Sequence, residues 1–293
     1  MFTGCGTALV TPFRRDLSLD EERLRALVRR QIESGINFLV PCGTTGESPT
    51  LSRGEHLRVV EIALEEAHGK VPVLAGAGGY DTREVVALAR EIQALGADGI
   101  LSVTPYYNKP TQEGLYQHYK AIASAVSLPI VVYSVQSRTG VNVEPSTLKR
   151  LAEIENIVGV KEASGNIGQM AGVVHQVPER FLVLCGDDAV SIPLISLGGR
   201  GTISVVSNQI PAQMTELVQS ALRGDYASAR EIQRKYLPLM EVNFIESNPI
   251  PVKAAMAAMG LLEPVWRLPL VPPSAASQKK IEDVLESVGL HAG

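Results

Sequence analysis

Lys161 closes a short apolar run, Ile157-Val158-Gly159-Val160, and is followed by Glu162 and Ala163. A lysine is costly to bury, and interior strand positions rarely hold one. The ordinary pKa of its ammonium is about 10.4. Desolvation disfavours the charged form and can lower that value by ~3 units or more in apolar surroundings. The free amine is then a nucleophile able to form a Schiff base with a carbonyl substrate. The competing reading is a surface lysine that ends a strand. Position alone favours the plainer reading; the rest of the chain reverses the balance.

Several other residues suit the same chemistry. Gly43-Thr44-Thr45-Gly46-Glu47 follows the apolar run Phe38-Leu39-Val40. Glycines turn tightly and present N–H groups to an anion, and two threonine hydroxyls add donors. A carboxylate fits such a nest, although a plain turn into the next helix has the same composition. Tyr133 alternates with Val131 and Val135. A phenol beside a Schiff-base lysine relays protons; a core tyrosine with a satisfied hydroxyl is the alternative. Tyr106 and Tyr107 sit in Thr104-Pro105-Tyr106-Tyr107-Asn108-Lys109-Pro110, where paired aromatics also suit a subunit interface. Arg138, in Ser137-Arg138-Thr139-Gly140, carries a planar fork that binds a carboxylate in bidentate fashion. A solvated surface arginine is the alternative there.

These residues need elements to bring them together. β-rich runs alternate with amphipathic stretches from the start to about residue 222. The expected strands are Thr7–Val10, Phe38–Val40, Val71–Ala75, Ile100–Val103, Pro129–Val135, Ile157–Lys161, Phe181–Cys185 and Thr202–Val206. The expected helices between them include Asp20–Ser34, stopped by Gly35, and one opened by a Ser52/Glu55 capping box. Asp81 and Glu84 place a similar cap on the third helix. Others are expected over Gly114–Val126, Pro145–Ile154, Ile167–Val177, Ser191–Leu197 and Pro211–Leu222.

The strands are near-continuous apolar runs, as in parallel strands covered on both faces. Eight such units predict an α/β fold, a closed (β/α)8 TIM barrel, rather than an open doubly wound sheet. From about Tyr226 only helical signals remain, interrupted by the proline-rich Leu268–Pro273. The expected division is a barrel over 1–224 and a carboxyl-terminal helical region over 225–293. Barrel active sites form at the carboxyl ends of strands. Lys161, Thr44, Thr45, Tyr107, Tyr133 and Gly186 all fall there.

Bulk properties exclude some classes. The 293 residues carry a formal net charge of −4, so the basic footprint of a nucleic-acid binder is missing. No apolar run approaches the ~20 residues that span a bilayer, and the amino terminus lacks a signal-peptide pattern. Cys5, Cys42 and Cys185 have no metal-like spacing and read as reduced thiols of a cytoplasmic protein. His56, His68, His118, His175 and His291 form no metal-ligand pattern with one another. Gly76-Ala77-Gly78-Gly79 lacks dinucleotide-site spacing, and Asp187-Asp188 reads better as a helix cap than a cation site. Neither a metal nor an organic cofactor is expected.

Taken together, G-T-T-G-E-S, T-P-Y-Y-N-K-P, S-R-T-G, G-V-K-E-A, G-D-D and Asn248-Pro249-Ile250-Pro251-Val252-Lys253 resemble the dihydrodipicolinate synthase family over nearly the whole chain. The resemblance implies a barrel with a helical extension, assembled as a homotetramer of tight dimers. It implies that Lys161 condenses with pyruvate and that the enamine attacks L-aspartate 4-semialdehyde, giving 4-hydroxy-tetrahydrodipicolinate for lysine biosynthesis. By the same resemblance Thr44, Tyr107 and Tyr133 form a proton relay, with Tyr107 contributed by the partner subunit. Thr45 holds the pyruvate carboxylate, Arg138 the semialdehyde carboxylate, and Gly186 and Ile203 line the pocket. Ser48, His56, Glu84 and Tyr106 match a feedback site for L-lysine, although Tyr80 and Pro49 depart from it. Ser134 and Gln136 replace an asparagine and a proline usual in the family, which puts the placement of Arg138 in question. Competing readings are another pyruvate-dependent aldolase, such as N-acetylneuraminate lyase or a keto-deoxy sugar-acid aldolase, and a barrel that binds a metabolite without turning it over.

Overall fold

The computed structural model describes residues 1–290; His291 and the last residues of the expected helical region lie outside it. Eight strands run in order: β1 (Gly4–Ala8), β2 (Phe38–Val40), β3 (Leu74–Gly76), β4 (Gly99–Val103), β5 (Ile130–Ser134), β6 (Ile157–Glu162), β7 (Leu182–Cys185) and β8 (Gly201–Ser204). Between and after them come α1 (Glu21–Glu33), α2 (Arg53–Ala67), α3 (Thr82–Ala94), α4 (Gln112–Ala125), α5 (Gln136–Thr139), α6 (Pro145–Leu151), α7 (Ile167–Gln176), α8 (Ser191–Ser196) and α9 (Pro211–Leu222). Three further helices follow, α10 (Tyr226–Val242), α11 (Ile250–Ala258) and α12 (Ala275–Val288).

The strands pair in parallel in the order β2-β1-β8-β7-β6-β5-β4-β3. The two ends meet: Leu39 bridges Val73, and the Leu39 N–H donates to the Pro72 carbonyl at 2.9 Å. The sheet therefore closes into the expected barrel. Two apolar layers follow from strand alternation. Inside, Phe38, Val40, Leu74, Leu101, Val131, Tyr133, Leu184 and Ile203 fill the lumen. Outside, residues such as Val132 and Val160 pack under the helices.

Local signals explain most helix ends. Asp20 caps α1 by accepting the Arg23 N–H, and Gly35 follows the helix at φ +80°. Ser52 and Glu55 form both bonds of a capping box on α2. Asp81 caps α3 through the Arg83 N–H. The proline-rich connector separates α11 from α12, as expected.

Several strand boundaries move. β1 starts at Gly4, not Thr7, because Gly4 and Gly6 carry no apolar signal. A Cβ on Gly6 would stand 2.1 Å from the Phe38 ring, so glycine is the residue that fits. β3 begins at Leu74 rather than Val71, since Pro72 has no N–H to give a ladder. β8 ends at Ser204, not Val206: the Asp188 carboxylate takes the N–H groups of Val205 (3.0 Å) and Val206 (2.8 Å) and turns the chain away. The run expected through Val135 ends at Ser134, and the unexpected short helix α5 starts two residues on.

Candidate active site

Lys161 lies on β6, opposite Tyr133 of β5 and Leu184 of β7. It is 5% exposed, and its Nζ sits over the Tyr133 ring at 4.3 Å from the centroid. The side chain is therefore held within the barrel rather than in bulk solvent. Alternation sends its neighbour Glu162 to the outer layer, where the Gln169 amide (2.8 Å) and the Ser164 N–H (3.3 Å) donate to the carboxylate. Gly186 follows β7. A Cβ there would stand 3.1 Å from Lys161 Cε and 2.6 Å from Ala163 Cβ. A bare α-carbon lets the chain pass close to Ala163 and leaves the lysine stem uncrowded.

Two cavities meet at this end of the barrel. One, of about 540 Å³, is lined by Thr45, Lys161, Gly186, Asp187 and Asn248. The other, of about 440 Å³, is lined by Thr44, Ser48, His56 and Tyr106. Tyr133, Val135 and Arg138 border both. Thus Thr44 and Thr45, adjacent in sequence, face different spaces.

The turn that carries the threonines is pinned from beneath. Within it, the Gly46 N–H donates to Gly43 and the Glu47 N–H to Thr44, each at 3.1 Å. The Thr11 hydroxyl holds the Gly46 carbonyl at 2.7 Å. Glu47, at φ +52°, ion-pairs with Lys253 of α11, and both side chains are fully buried. Lys253 Nζ also donates to the Thr11 carbonyl at 3.1 Å and lies over the Phe13 ring. Burial pushes the Lys253 ammonium below the usual lysine range, and the Glu47 charge opposes that. This pair was not foreseen from the sequence, although both members stand in motifs that carried the resemblance. Charged residues there read as loop and tail.

Arg138 reaches the cavities despite the two departures near it. The Ser134 hydroxyl accepts the Val143 N–H at 3.1 Å and approaches Asn142 Oδ1 at 3.4 Å. Gln136 opens α5, and the Gly140 N–H closes that turn on the Gln136 carbonyl at 2.9 Å. A helical turn thus sets the arginine without a proline. Its Nη2 donates to the main-chain carbonyl of Asn248 at 3.1 Å. The Asn248 amide in turn donates to Thr45 Oγ1 at 3.0 Å. Asn248 is a second residue that the sequence reading did not assign to the site.

Other expected residues stand apart. Tyr107 is 93% exposed at φ +67° and lines neither cavity of this chain. Ile203 is fully buried in the lumen and lies on neither cavity wall; Val205, two residues on, does line one. Of the proposed lysine ligands, Ser48, His56 and Tyr106 share a cavity, whereas Glu84 is exposed on α3 outside its lining. His56 Nε2 contacts the Gly76 carbonyl at 2.8 Å, and burial pushes its imidazole below the ordinary range. Tyr106 packs edge-on against Tyr80 at 5.4 Å. All three cysteines are buried and free, and burial drives their thiols upward, Cys185 to about 12. They are not poised as nucleophiles. Among the described residues no group of three or more His, Cys, Asp or Glu side chains is arranged to hold a metal ion.

Comparison with known proteins agrees with this geometry. The chain is 54% identical over 288 residues to the 4-hydroxy-tetrahydrodipicolinate synthase of Koribacter versatilis, covering 98% of this chain and 96% of that one. It superposes on the dihydrodipicolinate synthase of Acinetobacter baumannii, solved with pyruvate, with a TM-score of 0.97 at 43% identity, covering 99% of this chain and 100% of that one. The corresponding enzyme of Cyanidioschyzon merolae, solved with lysine bound, gives 0.95 at 38% identity, covering 99% of each chain. The family profile matches residues 1–288, and the chain belongs to the dihydrodipicolinate synthetase family.

Proposed function

We propose that this chain condenses pyruvate with L-aspartate 4-semialdehyde to give 4-hydroxy-tetrahydrodipicolinate, with Lys161 as the Schiff-base residue. The observation that carries the reading is the buried Lys161 amine in the cavity wall, against Tyr133 and flush with Gly186. The amine adds to the pyruvate carbonyl and water leaves, giving an imine. Loss of a methyl proton yields the enamine, whose carbon bonds to the aldehyde carbon of the second substrate; the aldehyde oxygen takes a proton. The amino group of that substrate then adds to the imine carbon, and the bond to Lys161 breaks as the ring closes.

Tyr133 and Thr44 serve the proton transfers, with Tyr107 supplied by a neighbouring subunit. Thr45 takes the pyruvate carboxylate and Arg138 the semialdehyde carboxylate. Gly186 gives the lysine room, and Ile203 closes the floor of the site. The proposed assembly is a homotetramer, and the exposed Tyr107 ring, on a left-handed backbone, is free to reach a neighbouring subunit. L-lysine is proposed to bind the cavity shared by Ser48, His56 and Tyr106, with Glu84 approaching from its rim. The buried free thiols support a cytoplasmic setting.

Borohydride reduction in the presence of pyruvate tests the reading. The native protein gains a reduced pyruvate adduct on the peptide containing Lys161. Lys161→Ala folds, gains none, and loses turnover by about 10³-fold or more. A native protein without an adduct would be a binding barrel. An adduct with cleavage of a sialic acid, but no condensation with the semialdehyde, would assign it to the sugar-acid aldolases.

A further inference from the structure

The two adjacent acids after β7 have separate tasks. Asp187 caps the short turn that follows, its carboxylate accepting the Ala189 N–H at 3.1 Å. Asp188 reaches across to another strand. It is 2% exposed, and its Oδ2 accepts the N–H groups of Val205 at 3.0 Å and Val206 at 2.8 Å. Its other oxygen, Oδ1, is buried without a partner. Burial pushes the carboxyl up to about 6, and the charged neighbour acting on it, Asp187, has the same sign. A carboxylate withdrawn from water without a counter-charge is costly. The residue type therefore needs a reason beyond packing.

That reason lies in what the two turns carry. Gly186 and Asp187, just before Asp188, line the Lys161 cavity, and so does Val205. One carboxylate thus ties together two stretches of cavity wall that follow different strands. Each stretch is also anchored elsewhere. Asn208 Nδ2 holds the Val205 carbonyl at 2.9 Å and the Ala8 carbonyl at 2.8 Å, while Gln233 of α10 holds the Ala189 carbonyl at 2.8 Å. These bonds leave the N–H groups of Val205 and Val206 to Asp188. The strands themselves have their own ties, through the β7–β8 ladder and the Thr202 hydroxyl, which donates to the Cys185 carbonyl at 3.0 Å. Loss of the carboxylate therefore strands two buried N–H groups in the wall without unpairing the barrel. We propose that Asp188 is a positioning residue for the condensation: it grips the turn after β8 from the turn after β7 and so fixes the wall against which the second substrate meets the enamine. Pyruvate is by then bonded to Lys161 and keeps its place. The aldehyde is held by contacts alone, so a displaced wall falls on it.

This inference rests on the condensation reading, and the test separates the two. Each preparation is titrated by borohydride trapping of pyruvate, and turnover is expressed per Lys161 that forms the adduct. That count removes any loss through misfolding. Asp188→Ala still traps pyruvate and keeps its KM for pyruvate. Its kcat/KM for L-aspartate 4-semialdehyde per trapped site falls by about 10- to 100-fold, the scale of a misplaced reactant. Asp188→Asn retains an oxygen for the two N–H groups, as a weaker neutral acceptor, and recovers part of that loss. Val205→Ala leaves the carboxylate in place and shortens the wall it holds; it lowers the same constant and serves alone if Asp188→Ala does not fold. Unchanged kinetics per trapped site in Asp188→Ala, equal rises in the KM of both substrates, or a Val205→Ala variant identical to the native protein overturn the positioning role. Absence of the pyruvate adduct in the native protein overturns the condensation reading itself.

Discussion

Gly186 and Lys161 illustrate how one residue sets the size allowed to another. A Cβ on residue 186 would stand 2.6 Å from Ala163 Cβ, 3.1 Å from Lys161 Cε and 3.2 Å from the Glu162 carbonyl. The contact with Ala163 Cβ is the one that must be relieved, so Gly186→Ala shifts the strand end that carries Lys161 as well as crowding its stem. The expected outcome is a fall in kcat of about 10²-fold, as for a misplaced reacting group, with slower adduct formation in rapid-quench trapping. At this scale the sequence was informative where chemistry and expense coincide: a lysine ending an apolar strand needs a reason. It was silent on Asn248, whose contacts to Arg138 and Thr45 span 110 and 203 positions of the chain. An asparagine before a proline carries no local sign of such distant partners.

The elements were legible to the extent that their apolar pattern is complete. Amphipathic helices with caps, such as α2, fall where expected, and α9 spans its expected residues. Elements shaped by tertiary contacts do not. β1 contains Gly4, where a Cβ would meet Asn37, and Gly6, where it would meet the Phe38 ring, and β8 is cut short by a carboxylate from another loop. The join between α11 and the threonine turn is of the same kind. It depends on Lys253 and Glu47, each fully buried and each compensated by the other. Removing one charge strands its partner, so Lys253→Met or Glu47→Gln alone costs about 3–5 kcal/mol in urea unfolding. The combined Lys253→Met/Glu47→Met variant recovers most of that loss, since apolar replacement of both members of a buried pair is often neutral. A double variant no more stable than the singles would show that the pair is not an isolated unit.

Across the whole molecule, the carboxyl-terminal region acts as a strap as well as a cover. Arg267 donates to the Thr50 carbonyl at 2.9 Å and pairs with Glu55, the capping residue of α2. The guanidinium holds the Glu55 carboxyl at about 2, below its ordinary 4.5. A depressed carboxylate pKa contributes stability that is present above the unfolded value and fades as pH falls toward the folded one. The native protein should therefore exceed Glu55→Gln by about 1 kcal/mol at neutral pH, a modest figure because the pair is partly solvated. The gap should narrow between pH 4.5 and about 2, as read by urea midpoints over that range. A gap that stays constant with pH would assign the effect to packing alone.

The order of synthesis gives the Glu47–Lys253 contact a further consequence. The two residues are separated by 206 positions, so the carboxylate leaves the ribosome long before its partner exists. A nascent chain that has already made all eight strands still carries an unneutralised acid beneath its threonine turn. Closing the barrel around that charge is unfavourable until α11 emerges. Translation thus delays a competent mouth until nearly the last segment is made, and stalled chains ending before residue 253 should neither resist protease nor capture pyruvate.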